Sequence, residues 1–225
     1  MGMHLLGSTA SPFVQRVLMT ARAKGAELEV HPPLGGKLTS PEFLAISPMG
    51  RVPVLVLDDG THLCESEAIA CYLDETLPAP ALMPDTALAR ARVREIVAIT
   101  LAEVAAGLRP LMMHQVFGMP GVPEIVVAAR TQLGRGLDAL DRLLSRDGLF
   151  AAGAALTAAD CALVPILALV RIVDPIAGTG AMVSERTHVA GYDARIAADP
   201  VAARTIEEMT AGFAAMMTRN AAAAG

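Results

Sequence analysis

Hydrophobic and polar positions follow two different patterns along the chain, and the change occurs near residue 80. Before it, short runs of β-branched and leucine residues predict strands at 3–7, 27–31, 52–57 and 61–64. Apolar residues at helical spacing predict helices at 12–24, 41–46 and 66–76. Asp58-Asp59-Gly60 is typical of a hairpin turn between the last two strands. The order βαβ-α-ββα predicts a small mixed α/β sheet with helices on both faces.

After the change, the apolar spacing is helical almost everywhere. The strongest segments predict helices at 86–108, 124–144 and 157–173, with shorter ones near 191–197 and 201–217. Thr157 and Asp160 have the spacing of a capping box, with Asp in place of the usual Glu. Prolines 78, 80 and 84 mark the junction between the two patterns. We therefore expect a first domain at 1–79, a linker at 80–85, an all-α domain at 86–220 and a frayed tail at 221–225.

Composition narrows the kinds of core and partner. Hydrophobic residues make up 53% of the chain and aromatic residues only 3%, so we expect helices that pack closely through small aliphatic side chains. The net charge is −5 and no long Lys/Arg run occurs, which argues against nucleic acid and anionic membrane as partners. The longest apolar run, 161–170, contains Pro165 and is shorter than the roughly 20 residues of a membrane span.

Three cysteines, Cys64, Cys71 and Cys161, occur without a CxxC pair. This pattern argues against a disulfide framework and against a structural zinc site. We expect each to be a small buried hydrophobic side chain in a reducing, cytoplasmic setting.

Two helix starts carry candidate chemistry. Ser11-Pro12 has the N-cap and N1 residues of a helix, which explains both residues structurally, although a helix N-terminus also favours an anion. Glu65 and Ser66 lie where the last strand meets the next helix. Glu65 suits an ammonium group, and Ser66 with the helix N-terminus suits a carboxylate, so the pair fits a zwitterion. The alternative is that Ser66 only caps the helix.

Several segments, in order and at matching spacing, resemble the cytosolic glutathione S-transferases, and in particular serine-type bacterial members. The matching segments are Ser11-Pro12-Phe13-Val14-Gln15-Arg16, Pro41-Glu42-Phe43, Ser47-Pro48-Met49-Gly50-Arg51-Val52-Pro53, Glu65-Ser66 and Leu156-Thr157-Ala158-Ala159-Asp160. The resemblance implies a thioredoxin-like N-terminal domain followed by an all-α helical domain. It also implies a cytoplasmic homodimer, in which Met49, Arg90 and Arg94 contact the partner.

The resemblance assigns Ser11, five residues before Arg16, as the catalytic residue. Its hydroxyl would stabilise the thiolate of glutathione, the co-substrate, and Ser8 and Thr9 are alternative donors. Val52 would pair with the cysteinyl backbone of glutathione, beside a cis Val52–Pro53 bond. The alternative is that Pro53 only starts a strand, where its missing N–H is harmless. Glu65 and Ser66 would hold the γ-glutamyl end.

This chain departs from the family at the residue expected to bind the glycyl carboxylate of glutathione. Several branches place a Lys or His where this chain has Ser40, and the nearest cation is Lys37. These two residues complete the expected glutathione site.

The second substrate would be a hydrophobic electrophile held in a pocket of the helical domain. The candidates, each as readily part of the core, are Thr9, Phe13, Leu108, Met112, Met113, His114 and Phe117. Glutathione transfer is the favoured activity, with glutathione-dependent isomerisation, dehalogenation or ether cleavage as alternatives. A zeta-type isomerase is less favoured, because Ser8-Thr9-Ala10-Ser11 lacks that branch's Ser-Ser-Cys motif. A non-catalytic interaction module is the alternative of another class.

Overall fold

The computed structural model describes residues 2–78, 80–144, 146 and 148–224, which form two compact units. One unit runs to Leu82 and includes the residues from Arg204 onward, and the other is Met83–Ala203. The boundary after Leu82 lies inside the linker predicted at 80–85. The residues from Arg204 onward differ from the prediction, which placed them with the helical domain.

The first unit contains a four-stranded sheet. Its strands are β1 (His4–Leu6), β2 (Glu29–His31), β3 (Val54–Val56) and β4 (His62–Cys64), in the order β2-β1-β3-β4. Strand β1 is parallel to β2 and antiparallel to β3, and β3 is antiparallel to β4. This is the mixed sheet that the sequence predicted.

Helices cover both faces of this sheet. Helices α1 (Pro12–Ala23) and α3 (Ser66–Thr76) share a core with Leu5 and Leu55. Neighbouring positions on a strand point to opposite faces, so Leu6 packs on the other side, against Phe43 of the short helix α2 (Pro41–Leu44).

The second unit is helical. Helix α4 (Ala87–Ile99) continues through a π-helical turn at Thr100–Ala105, helix α5 (Ala106–Leu111) and a second π-helical turn at Met112–Val116. This stretch extends past the end predicted at 108. The helices that follow are α6 (Pro123–Leu143), α7 (Ala158–Ile172), α8 (Asp174–Ala177), α9 (Gly180–Ser184), α10 (Thr187–Ile196) and α11 (Pro200–Ala224). Helix α11 extends to Ala224, where the sequence predicted a frayed tail from residue 221.

Small residues allow these helices to approach closely, as the composition predicted. A Cβ on Gly107 would lie 2.6 Å from the backbone nitrogen of Leu133 in α6. A Cβ on Gly136 would lie 2.8 Å from the side chains of Glu103 and Val104. Glycine at these two positions therefore allows α6 to pack closely against both α5 and the π-helical turn before it.

The predicted capping box is present at the start of α7. The Asp160 carboxylate accepts hydrogen bonds from the backbone nitrogens of Thr157 at 2.8 Å and Ala151 at 2.7 Å. It also accepts from the hydroxyl of Thr157 at 3.0 Å and from that of Tyr192 at 3.0 Å. The helix that follows is buried along almost its whole length.

One helical stretch within the described residues, Ala87–Val116, is long and apolar enough to span a membrane by length and composition alone. In its most apolar window 44% of the residues are buried in the protein. Buried core helices of soluble proteins meet the same criterion, so this stretch is weak support for a span.

Candidate active site

Ser11 lies at the N-terminus of α1 with its side chain in the capping position. Its backbone is extended (φ −85°, ψ 125°), and its Oγ accepts a hydrogen bond from the Val14 nitrogen at 3.4 Å. Pro12 takes the first helical position, as expected from the sequence. Within the described residues the Ser11 hydroxyl has no hydrogen-bond acceptor, so its proton is available to an anion at this helix end.

The loop before Ser11 is held by its own backbone and by a buried glutamine. The Ser11 nitrogen donates to the Ser8 carbonyl at 2.9 Å, and the Ala10 nitrogen donates to the Ser8 hydroxyl oxygen at 3.3 Å. Gln15, fully buried in α1, donates its Nε2 to the Thr9 carbonyl at 2.9 Å. Ser8 therefore takes part in the structure of the loop, and Ser11 lies at the helix end.

The Val52–Pro53 bond is cis. The loop before it is fixed by Ser47, which is buried and whose hydroxyl accepts from the Arg51 nitrogen at 3.1 Å and donates to the Arg51 carbonyl at 2.8 Å. Val52 is half-buried, and β3 begins two residues later at Val54. The geometry leaves residue 52 ahead of the strand, where a ligand backbone can pair with it.

Glu65 and Ser66 form the start of α3. Glu65, and not Ser66, takes the N-cap position, so the interpretation of Ser66 as the helix cap is wrong. Ser66 is the first helical residue and is buried. Glu65 has φ +67°, which is unfavourable for a residue with a side chain and costs about 1–3 kcal/mol. Its exposed carboxylate has no partner within the described residues, and no side chain caps the helix.

An ion pair between a buried arginine and an exposed glutamate connects α1 and α3. Arg16 on α1 is 2% exposed and donates its Nη2 to the Glu67 carboxylate on α3. Among the residues that the structure describes, its Nε and Nη1 have no hydrogen-bond partner. Since Ser11 begins α1 and Glu65 begins α3, this pair fixes the spacing of the two candidate anion sites.

The two residues expected near the glycyl carboxylate have different surroundings. Ser40 caps α2, because its hydroxyl accepts from the Phe43 nitrogen at 3.2 Å and donates to the Leu34 carbonyl at 2.5 Å. The single proton of this hydroxyl is therefore already used by the fold. Lys37 follows a 3₁₀ turn at Leu34–Gly36 and is exposed.

The candidates for the second-substrate pocket are distributed over both units. Thr9 and Phe13 belong to the first unit and the other five to the second. Leu108 is 1% exposed, so it belongs to the core in this structure, the alternative that the sequence left open for each candidate. Met112, Met113 and His114 lie half-buried in the second π-helical turn, and Phe117 is exposed. Their grouping into one pocket stays a prediction.

His114 has a defined hydrogen bond that bears on acid–base chemistry. Its Nδ1 lies 2.9 Å from the carbonyl oxygen of Met119. Because a carbonyl only accepts, Nδ1 carries the proton and Nε2 is the nitrogen left for a substrate.

The cysteines only partly match the prediction. Cys161 is buried, Cys64 is half-buried, and Cys71 is exposed on α3, so the expectation of a buried side chain is wrong for Cys71. Partial desolvation raises the pKa of both the Cys64 and the Cys71 thiols, so neither is an activated nucleophile. No group of three or more His, Cys, Asp or Glu side chains in the described residues is placed to hold a metal ion.

Gln15 and Gly212 bear on the site but were not singled out from the sequence as functional residues. Gln15 holds the carbonyl of Thr9, and Gly212 of α11 lies against the backbone of Thr9 and Ala10. A buried Gln among apolar helix positions was the available signal for the first. Gly212 had none, because it is far from Thr9 in the sequence.

Comparison with known proteins places this geometry in a family. The model of the glutathione S-transferase N-terminal domain matches residues 5–81, and that of the C-terminal domain matches residues 87–195. A tau class glutathione S-transferase from mango, Mangifera indica, has a TM-score of 0.74 at 26% identity, covering 96% of this chain and 98% of that chain.

Relatives with assigned names include isomerases. Probable maleylacetoacetate isomerase 1 of Drosophila melanogaster is 37% identical over 133 residues, which covers 59% of this chain and only about half, 52%, of that protein. Maleylacetoacetate isomerase of Mus musculus is 34% identical over 158 residues, which covers 68% of this chain and 71% of that protein. Both domain models and the mouse relative lead to one conclusion: the chain belongs to the glutathione S-transferase family.

Proposed function

We propose that the protein is a glutathione transferase in which the Ser11 hydroxyl stabilises the thiolate of glutathione. The observation that carries this is the Ser11 side chain at the N-terminus of α1, with a proton that has no acceptor in the described residues. A free thiol has a pKa of about 8.5 and is mostly protonated at neutral pH. One hydroxyl donor and the positive end of a helix lower that value by about one or two units.

The γ-glutamyl end of glutathione fits the start of α3. Its carboxylate would accept hydrogen bonds from the backbone N–H groups of the first turn and from the Ser66 hydroxyl. Its ammonium group would pair with Glu65, whose carboxylate is exposed and has no partner within the described chain. The unfavourable φ of Glu65 supports a ligand role, because strained residues cluster at binding sites.

The rest of the tripeptide follows from these two ends. The cysteinyl backbone would pair with residue 52 ahead of β3, beside Pro53. Lys37 is the cation for the glycyl carboxylate, since the Ser40 hydroxyl already donates its proton to the Leu34 carbonyl. The second substrate would be a hydrophobic electrophile that Met112, Met113 and Phe117 receive with adaptable apolar side chains. A cytoplasmic homodimer that does not bind membrane or nucleic acid is part of the same proposal.

Glutathione-dependent isomerisation is the second candidate. It is favoured by the names of the relatives, which are maleylacetoacetate isomerases from the fly and the mouse. In that reaction glutathione adds to the substrate and leaves again, so the thiol is returned. The same thiolate site serves both reactions, and the difference lies in the second substrate.

Calorimetric titration with reduced glutathione tests the thiolate site. Measured in two buffers of different ionisation enthalpy, it gives the protons released on binding. Wild type should release protons, and Ser11→Ala should bind with little release. Thr86→Ala is the control, because Thr86 caps α4 in the same way, by accepting from the Ala89 nitrogen at 3.2 Å, and lies in the other unit. No binding at millimolar glutathione would overturn the proposal in favour of a non-catalytic interaction module.

A second measurement separates the two reactions. Incubation with catalytic glutathione and maleylacetoacetate, followed by a thiol assay, should show product without thiol loss for an isomerase. Stoichiometric thiol loss with an activated aryl halide, and no turnover of maleylacetoacetate, would favour transfer.

A further inference from the structure

The C-terminal helix α11 lies directly against the loop that carries Ser11. A Cβ on Gly212 would lie 2.5 Å from the Thr9 Oγ1, 2.8 Å from the Ala10 nitrogen and 2.9 Å from the Thr9 carbonyl carbon. Two of these three atoms belong to the backbone and cannot rotate away. Only glycine therefore allows α11 to lie this close to Thr9 and Ala10.

Gln15, in the helix that follows the loop, holds the same loop through a hydrogen bond. Its Nε2 donates to the Thr9 carbonyl, while its buried Oε1 has no hydrogen-bond partner in the described part of the chain. A fully buried amide with one unsatisfied oxygen is costly, by roughly 1–3 kcal/mol. Gln15 occupies this position despite that cost. We therefore infer that its role is to hold the Thr9 carbonyl in place.

Helix α11 is itself fixed to the first unit by four charged side chains. Arg204 forms a two-pronged pair with Glu27 at 2.6 and 3.0 Å, the geometry that guanidinium and carboxylate groups make best. Glu208, one turn later, accepts from Arg22 at 2.6 Å and from Arg204 at 2.9 Å. We call Arg22, Glu27, Arg204 and Glu208 the α11 ion network. Gly212 follows Glu208 by one further turn, so the network sets where Gly212 meets the loop.

We propose that α11, through Gly212 and the α11 ion network, positions the Ser11 loop, with Gln15 as the second support. This rests on the proposed function of Ser11 and adds to it. Gly212 and Gln15 are positioning residues: neither contacts the thiol, and both act through the Thr9–Ala10 backbone. Ser11 follows Ala10 directly. A displacement of the Thr9–Ala10 backbone would therefore move the Ser11 hydroxyl away from the sulfur of bound glutathione.

Gly212→Ala is the test, with Gly134→Ala as the matched control. Both glycines lie inside helices, where Ala is favoured by roughly 1 kcal/mol. A Cβ on Gly134 meets only side-chain atoms, at 3.5 Å and beyond, so this variant changes propensity without a clash. The Gly212 variant should lower kcat/KM with an activated aryl halide by about 10- to 100-fold. The control should retain wild-type activity.

The pKa of the bound thiol and the loop amides supply readouts that a purely structural role would not change. Thiolate absorbance of the glutathione complex, followed against pH, should show a higher thiol pKa in Gly212→Ala than in wild type or Gly134→Ala. Amide hydrogen exchange at Ala10 and Ser11, both hydrogen-bonded within the loop, should be faster in Gly212→Ala. Glu208→Gln should shift both readouts in the same direction, and it serves if Gly212→Ala does not fold.

The outcomes separate this inference from the proposed function. A folded Gly212→Ala with wild-type exchange at Ala10 and Ser11 overturns the positioning role. If wild type forms no bound thiolate while the Gly212 variant exchanges faster, positioning of the loop stands and the transferase proposal falls. Unchanged thiol pKa with faster exchange would mean that the loop moves without consequence for the thiol, which also overturns the inference.

Discussion

The hydroxyl oxygen of Ser11 accepts a hydrogen bond from the backbone nitrogen of Val14 at 3.4 Å. One side chain therefore both caps α1 and offers its proton to a ligand. The two roles are compatible, because a cap uses the lone pairs of the oxygen and a thiolate uses the hydrogen. They also have different consequences when the side chain is removed, which allows them to be measured separately.

Ser11→Ala should therefore show two losses. The free energy of unfolding should fall by about 1 kcal/mol because the helix cap is lost. The kcat/KM should fall by about 100-fold because a donor to a developing anion is lost. Urea unfolding and steady-state kinetics measure the two. Thr86→Ala should show the first loss without the second, and an active Ser11→Ala enzyme would contradict the role of this hydroxyl.

Glu65 offers a case in which stability and binding change in opposite directions. Glu65→Gly should raise the free energy of unfolding by about 1 kcal/mol, because glycine adopts a positive φ without strain. The same change should weaken glutathione binding by about 10- to 100-fold, because the charged acceptor for the ammonium group is lost. Thermal unfolding and calorimetry measure the two effects.

Glu65→Gln separates strain from charge at the same position. It keeps the side chain and the unfavourable φ, so the stability should stay near that of wild type while affinity for glutathione falls. A glycine variant less stable than the glutamine variant would show that the backbone at residue 65 is not strained.

Local patterns predicted most elements because capping and periodicity are local properties. Helix α3 has the predicted bounds, and α7 differs from the prediction by one residue at each end, where Thr157 and Val173 are its caps. The strands are shorter than predicted, since their ends depend on partners in the sheet. Helices α8 and α9 were missed because they are a single turn each and are separated by Gly178 in a left-handed conformation.

Features that depend on distant residues were not predictable. Periodicity gave no sign that the helix after Ala87 continues through π-helical turns beyond Pro110. The local pattern also gave no sign that the Ser40 hydroxyl donates its proton to the Leu34 carbonyl, or that Leu108 is buried in the core. The placement of α11 with the first unit depends on Arg204 and Glu27, which are 177 positions apart.

The α11 ion network should make stability depend on acid. The hydrogen bond from Arg204 lowers the pKa of Glu27 below its ordinary value of 4.5. Burial alone would raise the pKa of Glu208, but hydrogen bonds from Arg22 and Arg204 outweigh it and the net direction is down. A lowered carboxylate pKa contributes stability that is fully present above 4.5 and is lost as pH falls through the folded-state value.

Arg204→Gln tests this dependence. Because Arg204 and Glu27 are both exposed, the pair that they form contributes at most about 1 kcal/mol at neutral pH. Urea midpoints at about pH 7 and about pH 3 should show a smaller stability difference from wild type at the second pH than at the first. A difference that persists in acid would mean that Arg204 acts through packing of its methylene groups and not through charge.

Asp160 should be among the side chains most important for stability, since it is buried and accepts four hydrogen bonds, including one from the hydroxyl of Tyr192. Asp160→Ala removes the acceptor of all four and leaves buried donors of Thr157 and Ala151 without partners. The free energy of unfolding should fall by about 2–4 kcal/mol.

Tyr192→Phe removes one donor and leaves three, so it should cost about 1 kcal/mol. Asp138 is 55% exposed and pairs with Arg186, so Asp138→Asn should cost less than about 1 kcal/mol, and equal losses in all three would contradict this ranking.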